Sequence, residues 1–514
     1  MLVRLSQQDA GLADLGLVLG YVFALPATSD NSLSYTSPLL DRFEAAVCRV
    51  VSKWKLLAGR VVKLEKENTW AVDLDAPTKQ SSALTRSRIA KPYHKAVGAA
   101  GPLPVLTSSS TPSFHPASTL SHFRHSSTPN SLAKLAATAH PILSCHSTVF
   151  DDAVAIGLNI PHGVFDAIGT GILVQAINAE LRGQDWAMPP PHEANILSAA
   201  VQKLLREPQQ TEELPPVLPG FYEASFGGVV RFAVSAAYEK WWHKCSVRYL
   251  FLPQDTVDKL VNKVKAEVKE ATGGKEYVST GDVLTAWVLK VRYFSSSDLC
   301  SLTHATPQSA HAGETSGTMA CSAVFQTRDL FRSFLPSDLV SSLNTSNYSH
   351  NCVSDYAFPS SPIPLSTLST TSLSALALLH RRTLTQIKTP AYLRAQTAAS
   401  QKATKQGTQP LIPKRDWPEP LHSLPFFFGP MEPTHTHRWV ETNQMMADLA
   451  ELSVPDPANE GKDLPLLAFH EMLAAPLDLD QVFAFQKRKG FGVWFVANLR
   501  ESRWRSMQMA IDAL

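Results

Sequence analysis

The 514 residues carry 47 Lys and Arg against 45 Asp and Glu, a formal net charge of +2, and 44% of them are hydrophobic. That is enough apolar surface for more than one buried core, so two domains are expected, while the near-neutral balance leaves no broad basic footprint for DNA or RNA. The six cysteines (Cys48, Cys145, Cys245, Cys300, Cys321 and Cys352) are scattered without a C-x-x-C pair, which gives neither a zinc ribbon nor a disulfide framework and suits a reducing compartment.

The first apolar run, LGLVLGYVFALPA from Leu15, is shorter than the roughly 20 residues a bilayer crossing needs. Asp9 and Asp14 before it and Asp30 after it do not suit a signal peptide, so a buried strand and a cytoplasmic protein are expected. Leu39, Leu40, Phe43, Ala46, Val47, Val50 and Val51 then recur at three-and-four spacing and predict an amphipathic helix running to Gly59. From about residue 77 to 140 the chain is rich in Ser, Pro and Thr and reads as a flexible insertion. In STVFDDAVAIGLNI, bulky Val154, Ile156, Leu158 and Ile160 alternate with small Ala155, Gly157 and Asn159, a strand with one bulky and one small face. Beyond Asp166 the period becomes helical through Leu181, which places His162 at a strand-to-helix turn.

REPQQTEELPPVLPG from Arg206 reads as a crossover over about 206–225, separating an N-terminal domain (1–205) from a C-terminal one (226–514). The second half shows a strand VRYLFLP and a helix QDTVDKLVNKVKAEVKEAT with Asp255 as its cap. A capped helix VSTGDVLTAWVLKVRYF and a strand-like SAVFQTRDLF follow. A polar tract over about 389–433 reads as a long loop, and GFGVWFVANL as a buried strand. No solenoid or propeller period is present.

The chemistry centres on His162 and Asp166. Asp166, in the first turn of a helix, has a sufficient structural reason as a cap. His162 reads either as a satisfied core histidine or as a general base, since imidazole takes a proton near neutral pH and could deprotonate an attacking hydroxyl or amine. No G-x-S-x-G elbow or papain-like cysteine stands beside it, which favours direct transfer over a covalent intermediate.

The strand followed by His162-Gly163-Val164-Phe165-Asp166 and a glycine-bearing helix resembles the HxxxD signature of BAHD-type, acyl-CoA-dependent acyltransferases, in particular their fungal branch with the trichothecene acetyltransferases. Four further blocks are similar in the same order: LLDRFEAAVCRVVSKWKLLAGRVV, VSTGDVLTAW, His350-Asn351 against a G-N strand, and Thr442-Asn443-Gln444 against a T-N-W segment. The chain departs from the pattern where a D-F-G-W-G loop would fall, reading AELSVPDPA instead. The resemblance implies two chloramphenicol-acetyltransferase-like α/β domains with a channel between them. It also implies acyl-CoA as co-substrate with no bound cofactor, a hydroxyl of a small secondary metabolite or glycolipid as acceptor, and a monomer. By it His162 is the general base and Gly163 supports the turn. Asp166 holds the turn by pairing with an arginine of the second half, for which Arg328 is the candidate, and Thr442 and Asn443 lie near the channel.

Two other functions stay open: a condensation-like enzyme fed by a carrier protein, against which Pro161 and Ala167 count because they depart from H-H-x-x-x-D-G, and a non-catalytic binding relative. No metal is expected, because His435 and His437 lack a partner cluster and HEMLA at His470 is not H-E-x-x-H. TGGKEY is a turn rather than a phosphate loop, and Trp241 and Trp242 belong to an ordinary surface helix.

Overall fold

The computed structural model describes residues 1–26, 32–67, 69–76, 78, 83–190, 196–206, 221–222, 246–293, 318–335, 339–343, 348–406, 412–413, 439–442, 451–474, 481–488, 491–499, 501–512 and 514. The chain opens with β1 (Leu2–Arg4), the short helix α1 (Gln7–Gly11) and β2 (Gly16–Ala24). Helix α2 (Ser32–Lys53) buries Leu39, Leu40, Phe43, Ala46, Val47 and Val50 on one face, as their spacing predicts. β3 (Arg60–Leu64) and β4 (Thr69–Asp73) join β1 in a small antiparallel sheet. Next come β5 (Ala83–Arg88), α3 (Tyr93–Ala96), β6 (Ser113–Pro116), α4 (Leu132–Thr138), β7 (Ser144–Val149), β8 (Ala153–Pro161), α5 (Ala167–Leu181) and α6 (Ile196–Arg206). The second half supplies β9 (Phe221–Tyr222), β10 (Ser246–Pro253), α7 (Gln254–Ala271), α8 (Thr280–Tyr293), β11 (Thr318–Gln326), α9 (Arg328–Arg332) and β12 (Val353–Pro364). It continues with α10 (Leu365–Thr370), α11 (Leu373–Ile387), α12 (Pro390–Gln406), β13 (Ile412–Pro413), β14 (Trp439–Thr442), β15 (Leu466–Ala474), β16 (Gln481–Arg488), β17 (Gly492–Leu499) and α13 (Glu501–Asp512).

Two mixed sheets organise these elements, one of five strands in the order β15-β2-β8-β7-β5 and one of seven in the order β12-β11-β14-β16-β17-β10-β6. In the first, the bulky residues of β8 face α2 and α5 and share a core with Phe43, Val47, Leu173 and Ile177. In the second, Val257, Leu284, Trp287 and Leu376 from α7, α8 and α11 pack with Phe495 of β17. Neither sheet is built from one contiguous half. β15 pairs along β2 from Leu466 opposite Phe23 to Ala474 opposite Gly16, and β6 pairs with β10. The expected division at 206–225 thus fails for these two strands, because local pattern gives a strand its faces but not its distant partner. Among the described residues no helix is long and apolar enough to cross a membrane.

Three segments differ from their sequence reading. The stretch read as a flexible insertion has defined structure from residue 83: β5 pairs with β7, β6 with β10, and Phe123 is fully buried. It seats on the small face of β8, where a Cβ on Gly157 would lie 1.9 Å from the Phe123 carbonyl oxygen and Asn159 Nδ2 donates to that oxygen at 2.9 Å. Few large side chains are needed there because the polar ones find partners, as in the 2.6 Å bond between Ser118 and His122. The tract read as a long loop over 389–433 is helical in its first part: Pro390 opens α12, Thr389 Oγ1 accepts from Tyr392 N at 3.2 Å as a cap, and Leu393 is buried. Finally, SAVFQTRDLF stops being a strand at Gln326, and Arg328 begins α9. Asp255 stands in the first turn of α7 rather than at its cap.

The packing of α2 on α5 includes a buried carboxylate. Glu180 accepts from Arg49 Nε at 2.8 Å, from Trp186 Nε1 at 2.9 Å and from Lys53. Burial by itself would raise its pKa, but the bonds from Lys53, Trp186 and Arg49 outweigh that and hold it at about 2, below the ordinary 4.5. A carboxyl depressed in the folded state stabilises it above the ordinary value, and that contribution is lost as pH falls toward about 2. Glu180→Gln is therefore expected to flatten the acid limb of the melting-temperature profile, and a profile parallel to wild type across that window would refute the assignment.

Candidate active site

The site forms where β8 ends. His162 N donates to Leu15 O at 2.9 Å, which ties the turn to the chain just before β2. Gly163 follows in a place with no room for a side chain, since a Cβ there would lie 2.9 Å from Leu132 Cδ1 and 3.0 Å from Asp9 O. Val164 N closes the turn on Pro161 O at 3.0 Å. His162 is partly exposed as a residue, and its Nδ1 is buried and meets no partner among the described residues.

Asp166, 1% exposed, divides its two oxygens between two tasks. Oδ1 caps α5 by accepting from Gly169 N at 2.9 Å. Oδ2 lies 2.8 Å from Nη2 of Arg328 and accepts from Cys352 N at 3.3 Å. Asp166 therefore caps the helix and pairs with Arg328 on separate atoms. Arg328, 0% exposed, also donates from Nη2 to Tyr348 O at 3.1 Å and His350 O at 3.0 Å. Burial pulls its pKa down, but Asp166 more than compensates and the guanidinium stays charged. Cys352, beside this pair, is no nucleophile candidate, because burial pushes its thiol up to about 12.

Residues 348–352 bring the second half against the turn. They approach α5 closely because position 169 is glycine: a Cβ there would lie 1.9 Å from Ser349 O. Gly169→Ala is thus expected to cost about 1–3 kcal/mol by overpacking and to lower turnover by shifting this segment; urea melts and an activity assay check it, and an unchanged midpoint would contradict the close approach. Asn351 Nδ2 donates to His162 O at 2.7 Å and to Asp9 Oδ1 at 2.8 Å, and His350 Nδ1 bonds Val164 O at 3.0 Å. Asp9 also accepts from Ser6 N and Oγ, each at 2.7 Å, in the capping box of α1. Burial raises its pKa, against the opposing influence of His350 and the bonds from Ser6 and Asn351.

Over nearly its whole length this architecture matches a solved structure, F. sporotrichioides TRI101 complexed with coenzyme A and T-2, at TM-score 0.59, covering 98% of this chain and 96% of that one with 11% sequence identity. The chain has the TRI101 fold. Curated relatives match over a shorter stretch. O-acyltransferase pboC of Aspergillus ustus is 31% identical over 160 residues, 31% of this chain and 32% of that protein. Acetyltransferase BOT5 of Botryotinia fuckeliana is 26% identical over 171 residues, 31% of this chain and 29% of that protein. A third relative, transcriptional regulator calD of Penicillium decumbens, is 25% identical over 154 residues, 29% of each chain. These matches span about a third of each curated relative, and no family model matches. The chain is thus similar over part of its sequence to two fungal acyltransferases and shares the TRI101 fold.

Within that fold His162, Gly163, Asp166 and Arg328 come together. Thr442 ends β14 by its backbone, opposite Ala323 and Val482, while Asn443, His435, His437, Trp241 and Trp242 lie outside the described residues. His470 is buried on β15 with Nε2 3.0 Å from Tyr93 Oη, and Gly273 and Gly274 of TGGKEY take positive φ in a turn. Among the described residues no three His, Cys, Asp or Glu side chains stand where a metal would bind. Sequence reasoning did not place Asp9, Ser349, His350 or Asn351 at the site. Ser6-Gln-Gln-Asp9 is a capping-box pattern and could have flagged α1, but nothing in it tells that Asp9 meets residue 351.

Proposed function

We propose that the protein is an acyl-CoA-dependent O-acyltransferase acting on a hydroxyl of a small secondary metabolite. The observation that carries this reading is the seating of a partly exposed His162 on a turn braced from both halves of the chain, within a fold whose solved relative holds coenzyme A and T-2. His162 accepts the acceptor's hydroxyl proton as the oxygen attacks the thioester carbonyl. The tetrahedral adduct then collapses, the carbon–sulfur bond breaks, and the imidazolium returns the proton to the departing CoA thiolate. Asp166 touches no substrate in this scheme, because its oxygens are engaged by Gly169, Arg328 and Cys352. The two co-substrates meet at His162 in a channel between the two sheets. The chemistry calls for no bound cofactor, and the protein works as a monomer in the cytoplasm.

A second reading, a binding protein that keeps the turn for structural reasons, is favoured by the name of calD. One assay separates them: thiol release from acyl-CoA esters, acetyl through long-chain, with purified protein and a pooled fungal metabolite extract. Acceptor-dependent release with a new ester in the mass spectrum is expected. Silence across the panel from protein shown to be folded would sink the enzyme reading.

A further inference from the structure

The turn that carries His162 is gripped from across the molecule by three consecutive residues. His350 reaches Val164 O, Asn351 reaches His162 O, and the backbone N of Cys352 reaches Asp166 Oδ2, so alternate residues of the turn are each held. The resemblance places G-N where this chain has His350-Asn351, so the histidine bond belongs to this chain's own sequence. We propose that His350 and Asn351 are positioning residues for acyl transfer, setting the depth and direction of the His162 imidazole; this rests on the reading of His162 as the base.

The contacts fit that task. The two carbonyls bracket Gly163, the point at which an unbraced turn would pivot most freely. A bond to a carbonyl requires His350 to donate from Nδ1, whatever the state of its other nitrogen. Its ring stacks on Phe165, with centroids 6.4 Å apart and planes 10° from parallel, so its direction is fixed by packing. Asn351 is wholly buried and is itself aimed by Asp9, which accepts from both its backbone N at 3.0 Å and its Nδ2. Asp9 is held in turn by Ser6. The chain of support therefore runs Ser6, Asp9, Asn351, His162, from a capping box to the carbonyl of the reacting residue. Small displacements of a reacting group cost large factors in rate, which gives such a brace its use.

Four purified full-length variants test this: Asn351→Ala, His350→Ala, His350→Asn and, as reference, His162→Ala. With acetyl-CoA and a fixed concentration of the metabolite pool, the first two are expected to lose about 10- to 100-fold in kcat with KM for acetyl-CoA unchanged, after correction for the folded fraction. His350→Asn keeps a donor one bond from Cγ while removing the ring, so it should recover most of the loss if the hydrogen bond matters and none if only stacking does. Amide hydrogen exchange at residues 162–166 gives a readout independent of turnover and should accelerate in both alanine variants. Unchanged kcat per folded molecule, or unchanged exchange, overturns the proposal. A wild-type protein that releases no thiol, while the variants still accelerate exchange, sinks the acyltransferase reading and with it the catalytic meaning of the brace.

Discussion

His162→Ala is expected to lower turnover by about 10²–10⁴-fold, the usual contribution of a positioned general base, while leaving the melting temperature close to that of wild type. The separation of the two effects follows from which atoms hold the turn. His162 joins the fold through its backbone, N to Leu15 O and O from Asn351 Nδ2, and both survive the substitution. The residue is partly exposed, and Nδ1 makes no bond among the described residues that truncation would break. Single-turnover thiol release and thermal melts on the same preparation decide the matter. Full activity in the variant would remove the general base from the mechanism; a collapse in melting temperature would mean that the ring is part of the core after all.

The parts of this site that sequence made legible are those set by neighbours in the chain. Alternation in β8, the change of period after Asp166 and the cap it makes are local, and the structure repeats them. The fold class and the Asp166–Arg328 contact came from ordered blocks that resemble a family, since no periodicity links residues 162 positions apart. What was not legible is tertiary. Phe123 sits in a stretch whose composition reads as solvated, and its burial depends on Gly157 and Gly20, which leave space only when β2 and β8 are paired. Pro390–Gln406 reads as a loop because its apolar residues are few, yet a Thr cap, a Pro at the first position and Leu393 suffice once a neighbouring core exists. The exchange of β6 and β15 between sheets has no signature in either strand alone. Asn351 could be aligned, but its task is defined by Asp9, 342 residues away.

The largest stability effect is expected at Arg328. Removing it by Arg328→Ala leaves the Asp166 carboxylate, 1% exposed, with Cys352 N at 3.3 Å and the cap to Gly169 but no countercharge on Oδ2. Breaking a buried pair from one side costs about 3–5 kcal/mol, a large share of the roughly 5–15 kcal/mol by which a folded protein is stable. Asp166→Asn should cost less, because asparagine still caps α5 through its oxygen and Arg328 keeps the carbonyls of Tyr348 and His350. Its amide nitrogen nevertheless cannot accept from the guanidinium, and Nε and Nη1 of Arg328 are already without partners among the described residues, so the cation is left poorly compensated. The double variant Asp166→Asn with Arg328→Met removes both charges and fills most of the space, and it is expected to be more stable than Arg328→Ala alone. Urea melts of the two singles and the double, with Arg328→Met completing the cycle, give the coupling directly. Additive changes would show that the 2.8 Å contact carries no energy of its own. A strong coupling, together with a His162→Ala variant that melts like wild type, would separate the residue that holds the turn from the residue that uses it.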